Sequence, residues 1–545
     1  MKKFIACALA AVMSVAMMAG VSMAGEAEAV DRTLNIAWAG DIETYDAHMT
    51  TQDYCVPVNV FDRLFEIVIG ETGSAELVNS LVADYSVSED GMTFDFTLRD
   101  DVVFSNGEAL TADDVAYTFT RMVAVEGSQQ EYLFETVVGY EEFTGTGNYH
   151  DAYLPGITVT DATHFSIQLS TPYAGFLNIL GSPACCIYSK AVVEEAGEAF
   201  GQDPAFCIGS GAYVVSSWTR DLGMELGYNS LYWGTAPDFN NVKIQIIPDA
   251  DTLNMMFQSG QIDILDGNYL DSAIIASVYK TMYADKIVYS SRLGTSYMAL
   301  NQASNEALAD VNVRRAIAMS IDRQLIIDTI INGDGMLVDG IFPQGLVGFS
   351  EENQGWLQYD PEGAQALLES AGYTKGDDGY YFSFTIENDE NNSSTRQSVI
   401  MAIADMLQKN GINATVKNND HSSWLDMRKA GEIDSYVSTW TADYNDPDNF
   451  IATFWGSEAR ATGRSLGYTD QDVMTRVSAA PAIIDDAERQ AEYAALEKKI
   501  VEEDVSWVPV YQEIHIFVMS QNVSEFIPHW AGYSDFSFSG VKAAN

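Results

Sequence analysis

Short apolar strands and capped helices alternate along this chain, without a sequence repeat or a low-complexity linker. Residues 34–38 form a short apolar run, and Asp90-Gly91 is a turn signal between two strand-like arms. In the second arm, residues 92–98, apolar and polar side chains alternate, which is typical of a strand with one buried face. Residues 242–247 indicate a further strand. Because strands and helices are interleaved and not segregated, the pattern predicts α/β lobes.

Several helices have clear boundary signals. Thr111 is a candidate N-cap with acidic residues in the turn that follows it. Asp360 is a cap followed by Pro361 at the first helical position, and Gly372 ends that helix. The same reasoning predicts three further elements: helices over 399–409 and 485–503, and a strand over 505–511.

The first residues have the three parts of a secretory signal peptide. Lys2 and Lys3 give a positive start, and residues 4–20 are almost wholly apolar or small. Residues 22–24 then offer small side chains at the two cleavage positions. The sequence therefore predicts a signal peptide over residues 1–24. The alternative is a short membrane anchor, which is disfavoured because a span needs roughly 20 apolar residues and no cleavage site.

The predicted cleavage point has no cysteine to carry a lipid. Lipid-anchored exported proteins have a Cys directly at that point, whereas Cys7 falls inside the apolar run. No later stretch is long and apolar enough to cross a bilayer. We therefore expect the exported protein to be free in a periplasm, where a second membrane retains it.

The chain is strongly acidic, with 78 acidic and 28 basic residues and a formal net charge of −50. Such a surface repels nucleic acid and anionic lipid, so neither is an expected partner. It is typical of a solvated acidic coat, and it also attracts cationic solutes. Aromatic and β-branched residues occur throughout, which argues against a disordered chain.

Four cysteines remain after the predicted cleavage: Cys55, Cys185, Cys186 and Cys207. In an oxidising compartment we expect one disulfide, from Cys185 or Cys186 to Cys207, which would close a short loop. The chain has no Cys-x-x-Cys pair and its six His are scattered, so we expect no metal site.

Catalytic motifs are largely missing from the sequence. It has no Gly-x-Ser-x-Gly nucleophile elbow, no His-Glu-x-x-His helix and no phosphate-binding Gly-rich loop. A glycosidase needs only two carboxylates, and 78 acidic residues leave that possibility open. The motifs therefore give no sign of catalysis, and we expect no enzymatic activity and no cofactor.

Four stretches of the chain carry a family resemblance. The first stretch begins at residues 58–64 and continues with 88–122 (SEDGMTFDFTLRDDVVFSNGEALTADDVAYTFTRM). The second is 209–218 (GSGAYVVSSW) together with 228–234. The third is 311–327 (VNVRRAIAMSIDRQLII), and the fourth is 439–450 (TWTADYNDPDNF). Together they resemble the solute-binding proteins of peptide-type ABC transporters. This is extracellular solute-binding protein family 5, which includes the oligopeptide-, dipeptide- and nickel-binding proteins. The stretches occur in the family's order and spacing.

The resemblance implies a two-lobed periplasmic-binding-protein fold with lobes that are discontinuous in sequence. Residues 30–55, 185–290 and 510–545 are expected to form the first lobe, with an extra subdomain over 56–184. Residues 291–509 are expected to form the second lobe. A small-molecule or short-peptide ligand lies between the lobes, which close on it by a hinge motion. The closed protein, expected to be a monomer, then docks on a membrane permease.

The resemblance also implies a ligand anchor. In the family's peptide binders, the Asp of a Trp-x-x-Asp-Tyr motif pairs with the ligand's free ammonium, and Asp443 holds that position here. A carboxylate offsets the hydration that the ammonium loses, through charge-assisted hydrogen bonds. The aromatic candidates around it have core packing as their alternative role. The complete set of expected ligand-binding residues is Asp443, Trp440, Thr441, Tyr444, Trp424, His421, Tyr45, Asp53 and Tyr54.

Two positions depart from the family pattern. His421 stands where peptide binders usually have a Trp that stacks on the peptide, unless Trp424 substitutes for it. Dipeptide binders use an Arg in the stretch that matches residues 387–392, which is acidic here, and Arg396 is the nearest Arg. We therefore expect longer peptides, or ligands with cationic groups, and not strict dipeptides. The alternatives are the same fold with a non-peptide solute, such as a metal chelate or sugar, or an exported hydrolase.

Overall fold

The computed structural model describes residues 31–70, 75–532 and 534–544, so the predicted signal peptide lies outside the described residues. Nineteen strands are present in this part of the chain. In chain order they are β1 Thr33–Trp38, β2 Phe65–Ile69, β3 Ala75–Asn79, β4 Val82–Val87, β5 Thr93–Leu98, β6 Ile157–Val159, β7 His164–Gln168, β8 Tyr213–Thr219, β9 Gly223–Tyr228, β10 Asn241–Ile246, β11 Ile264–Asp266, β12 Ile287–Leu300, β13 Gly335–Met336, β14 Phe382–Asp389, β15 Ile412–Asn419, β16 Ser435–Thr441, β17 Trp507–Met519, β18 Val523–Glu525 and β19 Lys542–Ala543.

The α-helices are distributed among these strands. They are α1 Pro57–Val60, α2 Ala112–Ala124, α3 Tyr140–Phe143, α4 Phe176–Ile179, α5 Lys190–Ala196, α6 Ala250–Gln258, α7 Ser272–Ile274, α8 Lys280–Met282, α9 Glu306–Ala309, α10 Val311–Met319, α11 Arg323–Thr329, α12 Pro361–Ser370, α13 Ser394–Lys409, α14 His421–Ala430, α15 Asp448–Trp455, α16 Glu458–Gly463, α17 Gln471–Ala479 and α18 Asp486–Lys498. Within the described ranges, no helix combines the length and apolar character that a membrane span requires.

The largest sheet spans both lobes. Its strand order is β15-β14-β16-β12-β17-β11-β1-β10-β9-β8, and β13 pairs with β17 outside this path. Strand β14 is parallel to β15, and β1 is parallel to β10, whereas β12 and β17 are antiparallel. A separate four-stranded sheet, in the order β4-β5-β7-β6, lies in the segment expected as the extra subdomain.

Strands β12 and β17 pass from one lobe to the other. The first half of β12, from Ile287 to Ser291, pairs with the same part of β17 that adjoins β11. The second half of β12, from Gly294 onward, also pairs with β16. The register of the β12–β17 pair shifts between Ser291 and Thr295. A second shift follows between Ser296 and Tyr297, and the same pair of strands therefore connects the lobes on both sides of these irregularities.

Two large hydrophobic cores correspond to the two lobes. The first contains residues between 34 and 264 together with 517–541, and the second draws mainly on residues 293–511. Phe96 and Phe165 of the four-stranded sheet stack with their ring centroids 5.0 Å apart and belong to the first core. The predicted two-lobed α/β fold, with lobes that are discontinuous in sequence, is confirmed.

Most of the predicted elements are also confirmed. The Asp90-Gly91 turn joins β4 to β5, and α2 begins after Thr111, whose hydroxyl donates to Asp114 at 2.8 Å. Helix α13 begins earlier than expected because the Ser393 side chain caps it. Strand β17 extends well beyond residue 511 because its second half continues into the first lobe.

The predicted disulfide is absent, since Cys55, Cys185, Cys186 and Cys207 are all free and buried. The Cys185 thiol donates to the carbonyl of Ile179 at 3.3 Å, so its hydrogen bond is local and not to another cysteine. Burial raises the pKa of the Cys186 thiol to about 11. A short separation along the chain, from which the disulfide is predicted, does not place the sulfur atoms within bonding distance.

Candidate functional site

The lobes meet where β12 and β17 cross between them. Arg292 lies at the register shift of β12, and its guanidinium pairs with Glu513 of β17 at 3.1 Å. The Nε of Arg292 also donates to the hydroxyl of Thr441, at the end of β16, at 3.1 Å. These contacts fix the end of β16 relative to the crossing strands. The Trp-x-x-Asp-Tyr motif spans the end of β16 and the loop after it, so the fold brings that motif to the interlobe cleft.

A cavity of about 1010 Å³ opens beside this loop and takes its walls from both lobes. Tyr132 and Tyr173 contribute from residues 56–184, the segment expected to form the extra subdomain. The second lobe contributes four of the residues that the sequence predicts for the site: His421, Trp440, Asp443 and Tyr444. Those four predicted positions therefore face one shared space.

Asp443 is partly buried and is held by neutral donors. Its Oδ2 accepts from the side-chain amide of Asn449 at 2.9 Å and from the hydroxyl of Tyr132 at 3.3 Å. The backbone N–H of Asp443 donates to Oδ1 of Asn449 at 3.0 Å. Burial raises the pKa of Asp443, against the hydrogen bonds from Asn449 and Tyr132 and the charge of Arg464.

The carboxylate of Asp443 has no salt bridge within 4.0 Å among the described residues. A carboxylate that is removed from water and lacks a cationic partner is costly to keep charged. A ligand ammonium that entered the cavity would supply the missing charge. The site can therefore bind a cationic group at Asp443.

Trp440 forms one side of the cavity next to Asp443. Its indole N–H donates to Oδ1 of Asn449 at 3.2 Å, so one amide orients both residues. The ring packs edge-on against Phe454 with centroids 5.5 Å apart. The guanidinium carbon of Arg464 lies 4.8 Å from the Trp440 ring centroid. Trp440 is therefore held rigidly between the core and the cavity.

The two lobes also touch through a buried tyrosine and carboxylate cluster. The hydroxyl of Tyr173 donates to Oδ2 of Asp448 at 3.1 Å and lies 3.3 Å from the hydroxyl of Tyr444. Burial, reinforced by the charge of Asp446, raises the pKa of Asp448 to about 7. Asp446 itself pairs with the buried guanidinium of Arg489. This cluster links the first-lobe side of the cleft to the loop that carries Asp443.

His421 begins α14 at the wall of the same cavity. Its Nδ1 lies 2.7 Å from Oδ2 of Asp389, and 49% of its side chain is exposed. The imidazole therefore already has an acidic partner within the second lobe. Thr441 is oriented by Arg292 and belongs to the strand that leads into the cavity.

Three of the predicted site residues lie in the protein core. Trp424 packs edge-on against Tyr436 at 5.4 Å and donates to the carbonyl of Glu387 at 3.2 Å. Tyr45 is 1% exposed and donates to the carbonyl of Asp203 at 2.8 Å. The Tyr54 side chain is also buried. Core packing, the alternative role expected for aromatic candidates, describes these three rings, and their contact with a ligand stays a prediction.

Asp53 lines a second cavity, of about 550 Å³, whereas Thr51 lines both this cavity and the larger one. Asn268 and Arg292 line the second cavity and also a third, of about 350 Å³. The cavities therefore adjoin one another along the cleft. Together they extend the space available to a ligand well beyond the surroundings of Asp443.

Sequence reasoning missed the basic side chains of the cleft. Arg396 lines the third cavity and donates to the hydroxyl of Thr439 at 2.8 Å. Arg396 was identified only as the nearest Arg to the acidic stretch, and Arg292 carried no local signal. Arg292 acquires its place from the long-range pairing of β12, β16 and β17, whereas Arg396 lies in the first turn of α13 and reaches the cleft through Thr439 of β16.

Comparison with known proteins agrees with this architecture. The family model described as "Bacterial extracellular solute-binding proteins, family 5 Middle" matches residues 76–462. The Dipeptide-binding protein of Escherichia coli (strain K12) is 28% identical over 462 residues, which cover 81% of this chain and 82% of the relative.

Two solved structures show the same fold. DppA from Helicobacter pylori, an ABC transporter-associated periplasmic binding protein in complex with the peptide STSA, has a TM-score of 0.72 at 24% identity, covering 94% of this chain and 98% of that one. NikA from Brucella suis, in complex with Fe(III)-EDTA, has a TM-score of 0.82 at 21% identity, covering 94% and 100%. The chain therefore belongs to family 5 of the bacterial extracellular solute-binding proteins.

Proposed function

We propose that this protein is the solute-binding component of an ABC importer and captures short peptides between its lobes. The observation that carries the proposal is Asp443, a carboxylate that forms no salt bridge with any described residue and that lines a cavity built from both lobes. A peptide's free ammonium is the complementary group. The names of the Dipeptide-binding protein relative and of the peptide complex of DppA support this choice of ligand.

The adjoining cavities support an extended ligand. Such a peptide offers backbone donors and acceptors that a cleft can pair with regardless of side chain. A ligand that contacts Tyr132 on one side and Asp443 on the other favours the closed arrangement, because only that arrangement provides both contacts. Closure is then the signal that a membrane permease would read.

The remaining assignments are part of the same proposal. The chain is exported by a cleavable signal peptide over 1–24, carries no lipid anchor and works as a monomer in a periplasm. Its first lobe comprises 30–55, 185–290 and 510–545 with an extra subdomain over 56–184, and its second lobe comprises 291–509. The strand crossing at Ser291–Thr295 supports a boundary near residue 291. The acidic surface supports a protein without nucleic-acid partners.

The substitution Asp443→Asn tests the anchor. It removes the charge and keeps the shape, so peptide binding measured by calorimetry should weaken by about 1.5–3 kcal/mol, the value of hydrogen bonds to charged groups. Asp405→Asn is the matched control, because Asp405 lies on α13 in the same lobe with 59% of its side chain exposed. Unchanged affinity in Asp443→Asn would sink the assignment of the anchor.

Blocking the ligand gives an independent test. A peptide with an acetylated N-terminus should bind less tightly than the same peptide with a free ammonium, and the difference should vanish in Asp443→Asn. Native mass spectrometry of the purified protein separates the peptide proposal from the alternative of a non-peptide solute such as a metal chelate. Release of a chelate or sugar and no peptide would favour that alternative.

A further inference from the structure

Two arginines of the second lobe line the large cavity near Asp443. Arg428 lies in the last turn of α14, and Arg464 follows directly after α16. The guanidinium of Arg464 lies 4.8 Å from the ring centroid of Trp440 and 5.2 Å from that of Phe454. The guanidinium of Arg428 lies 5.6 Å from the centroid of Trp424. Aromatic faces therefore hold both side chains in place.

Neither arginine forms a salt bridge in the part of the chain that the structure describes. Among the described residues, no salt bridge within 4.0 Å involves Arg428 or Arg464, and the Nε of Arg428 is buried without a hydrogen-bond partner. Arg460, in the same cavity, is by contrast paired with Glu135 at 3.2 Å. With 78 acidic and 28 basic residues, the composition favours basic side chains that pair with acidic ones. Two neighbouring arginines without a salt bridge to a described residue are therefore unexpected.

The pair is electrostatically unfavourable as it stands. Burial lowers the pKa of Arg464, and the positive charge of Arg428 lowers it further. Cation–π contacts are individually weak, so they offset only part of the cost of two like charges near each other. An incoming anionic group would remove both the repulsion and the missing hydrogen bonds, since a guanidinium binds a carboxylate with two parallel N–H donors.

We propose that Arg428 and Arg464 form a subsite for an acidic side chain in the first two residues of a bound peptide. The proposal rests on the proposed peptide-binding function, with the ligand's ammonium at Asp443. Asp443 and Arg464 both flank Trp440, and their charges interact although they form no direct pair. The subsite therefore lies next to the anchor. This ligand class is opposite in charge to the cationic one that the acidic composition suggested.

Matched peptides test the subsite on the unmodified protein. Calorimetry would compare Glu-Ala-Ala-Ala with Gln-Ala-Ala-Ala, and Ala-Glu-Ala-Ala with Ala-Gln-Ala-Ala. Each pair differs by one charge with nearly the same shape. In at least one pair the acidic peptide should bind about tenfold more tightly or better, as expected for charge-assisted hydrogen bonds. The preference should shrink at high salt if the side chain remains partly hydrated.

Variants then assign the preference to the two residues. Arg428→Gln and Arg464→Gln should each reduce the acid-over-amide ratio, and the double variant should bring it to about one. Arg464→Lys should retain part of the ratio, because it keeps the charge and loses the planar fork. Lys409→Gln is the control for net charge, since Lys409 lies in the same lobe with 74% of its side chain exposed. Thermal melts of each variant check folding.

The possible results distinguish the proposed subsite from the peptide-binding function on which it depends. Equal binding of the acidic and amide peptides to the unmodified protein, with Asp443→Asn still weakening both, would overturn the subsite and leave the peptide proposal standing. An acid preference that persists in the double variant would also overturn it. Failure of every peptide to bind the unmodified protein would overturn both proposals together.

Discussion

The hydroxyl of Tyr132 donates to Oδ2 of Asp443 at 3.3 Å, so a side chain from the extra-subdomain segment touches the proposed ligand anchor of the other lobe. Tyr132→Phe removes this bridge and keeps the ring. We expect peptide affinity to fall by about 0.5–1.5 kcal/mol, the net value of one hydrogen bond, because the closed form loses an interlobe contact. Calorimetry at constant pH measures the change.

Tyr85→Phe is the control for this substitution, since Tyr85 is 39% exposed on β4 and lies in the same segment as Tyr132. It should leave affinity unchanged. Small-angle scattering of the unliganded protein adds a readout of closure, and Tyr132→Phe should increase the radius of gyration if the bridge holds the lobes together. An unaltered affinity and radius would show that the contact is incidental.

Tyr45 should matter for stability and not for ligand binding. It is buried in the first core, packs edge-on against Phe200 at 5.5 Å, and donates to the carbonyl of Asp203. Tyr45→Phe leaves that carbonyl without its donor, so the free energy of unfolding should fall by about 0.5–1.5 kcal/mol. Urea denaturation measures this cost. A clear loss of peptide affinity in the folded variant would instead place Tyr45 in the site.

The stability of the protein should depend on the protonation of Asp448. Its pKa is raised to about 7 by burial and by Asp446, so the folded state keeps a proton that the unfolded chain releases between about pH 4 and 7. The folded state binds more protons in this window, and stability therefore falls as the pH rises through it and levels off above about 7. Thermal melts across pH 4–8 follow the change.

Asp448→Asn isolates this contribution, because Glu497 and Asp535 also have pKa values raised to about 7 by burial. We compare the difference in melting temperature, variant minus unmodified protein. This difference should increase by about 1–2 °C from pH 5 to pH 8, since one kcal/mol corresponds to roughly 1 °C in a chain of this length. A difference that is constant with pH would place the titration of Asp448 outside this window.

The buried cysteines should behave as four separate thiols. Cys55, Cys185, Cys186 and Cys207 are free, and burial raises the pKa of each, to about 11 for Cys186. They should resist a thiol reagent at pH 8 in the folded protein, and all four should react after denaturation without a reductant. The melting temperature should not change with dithiothreitol. Detection of only two of the four thiols in the denatured, unreduced protein would instead show that a disulfide is present.

Local chemistry explains which elements could be predicted from the sequence. The Thr111 and Asp360 caps, the turn at Asp90-Gly91 and the alternation in β5 are all contained within a few residues, so their physics is visible in the chain itself. The position of Asp443 was also predictable, through a short motif whose loop follows one strand. These signals do not require knowledge of the rest of the fold.

The remaining features depend on contacts between distant segments. Trp424 and His421 lie on the same helix, yet one ring is buried against Tyr436 while the other faces the cavity. Arg428 and Arg464 are 36 residues apart by residue number, and no sequence pattern predicts that they lie near each other. Aromatic and basic side chains serve cores and clefts equally well, so only the packing of the lobes decides between these roles.

Strands β12 and β17 impose a mechanical condition on any movement of the lobes. They pair on both sides of the register shift at Ser291–Thr295, with a second shift at Ser296–Tyr297, so neither strand can slide along the other without losing a row of hydrogen bonds. Closure of the lobes therefore has to twist or bend this two-stranded ribbon, because a sliding motion would break its hydrogen bonds.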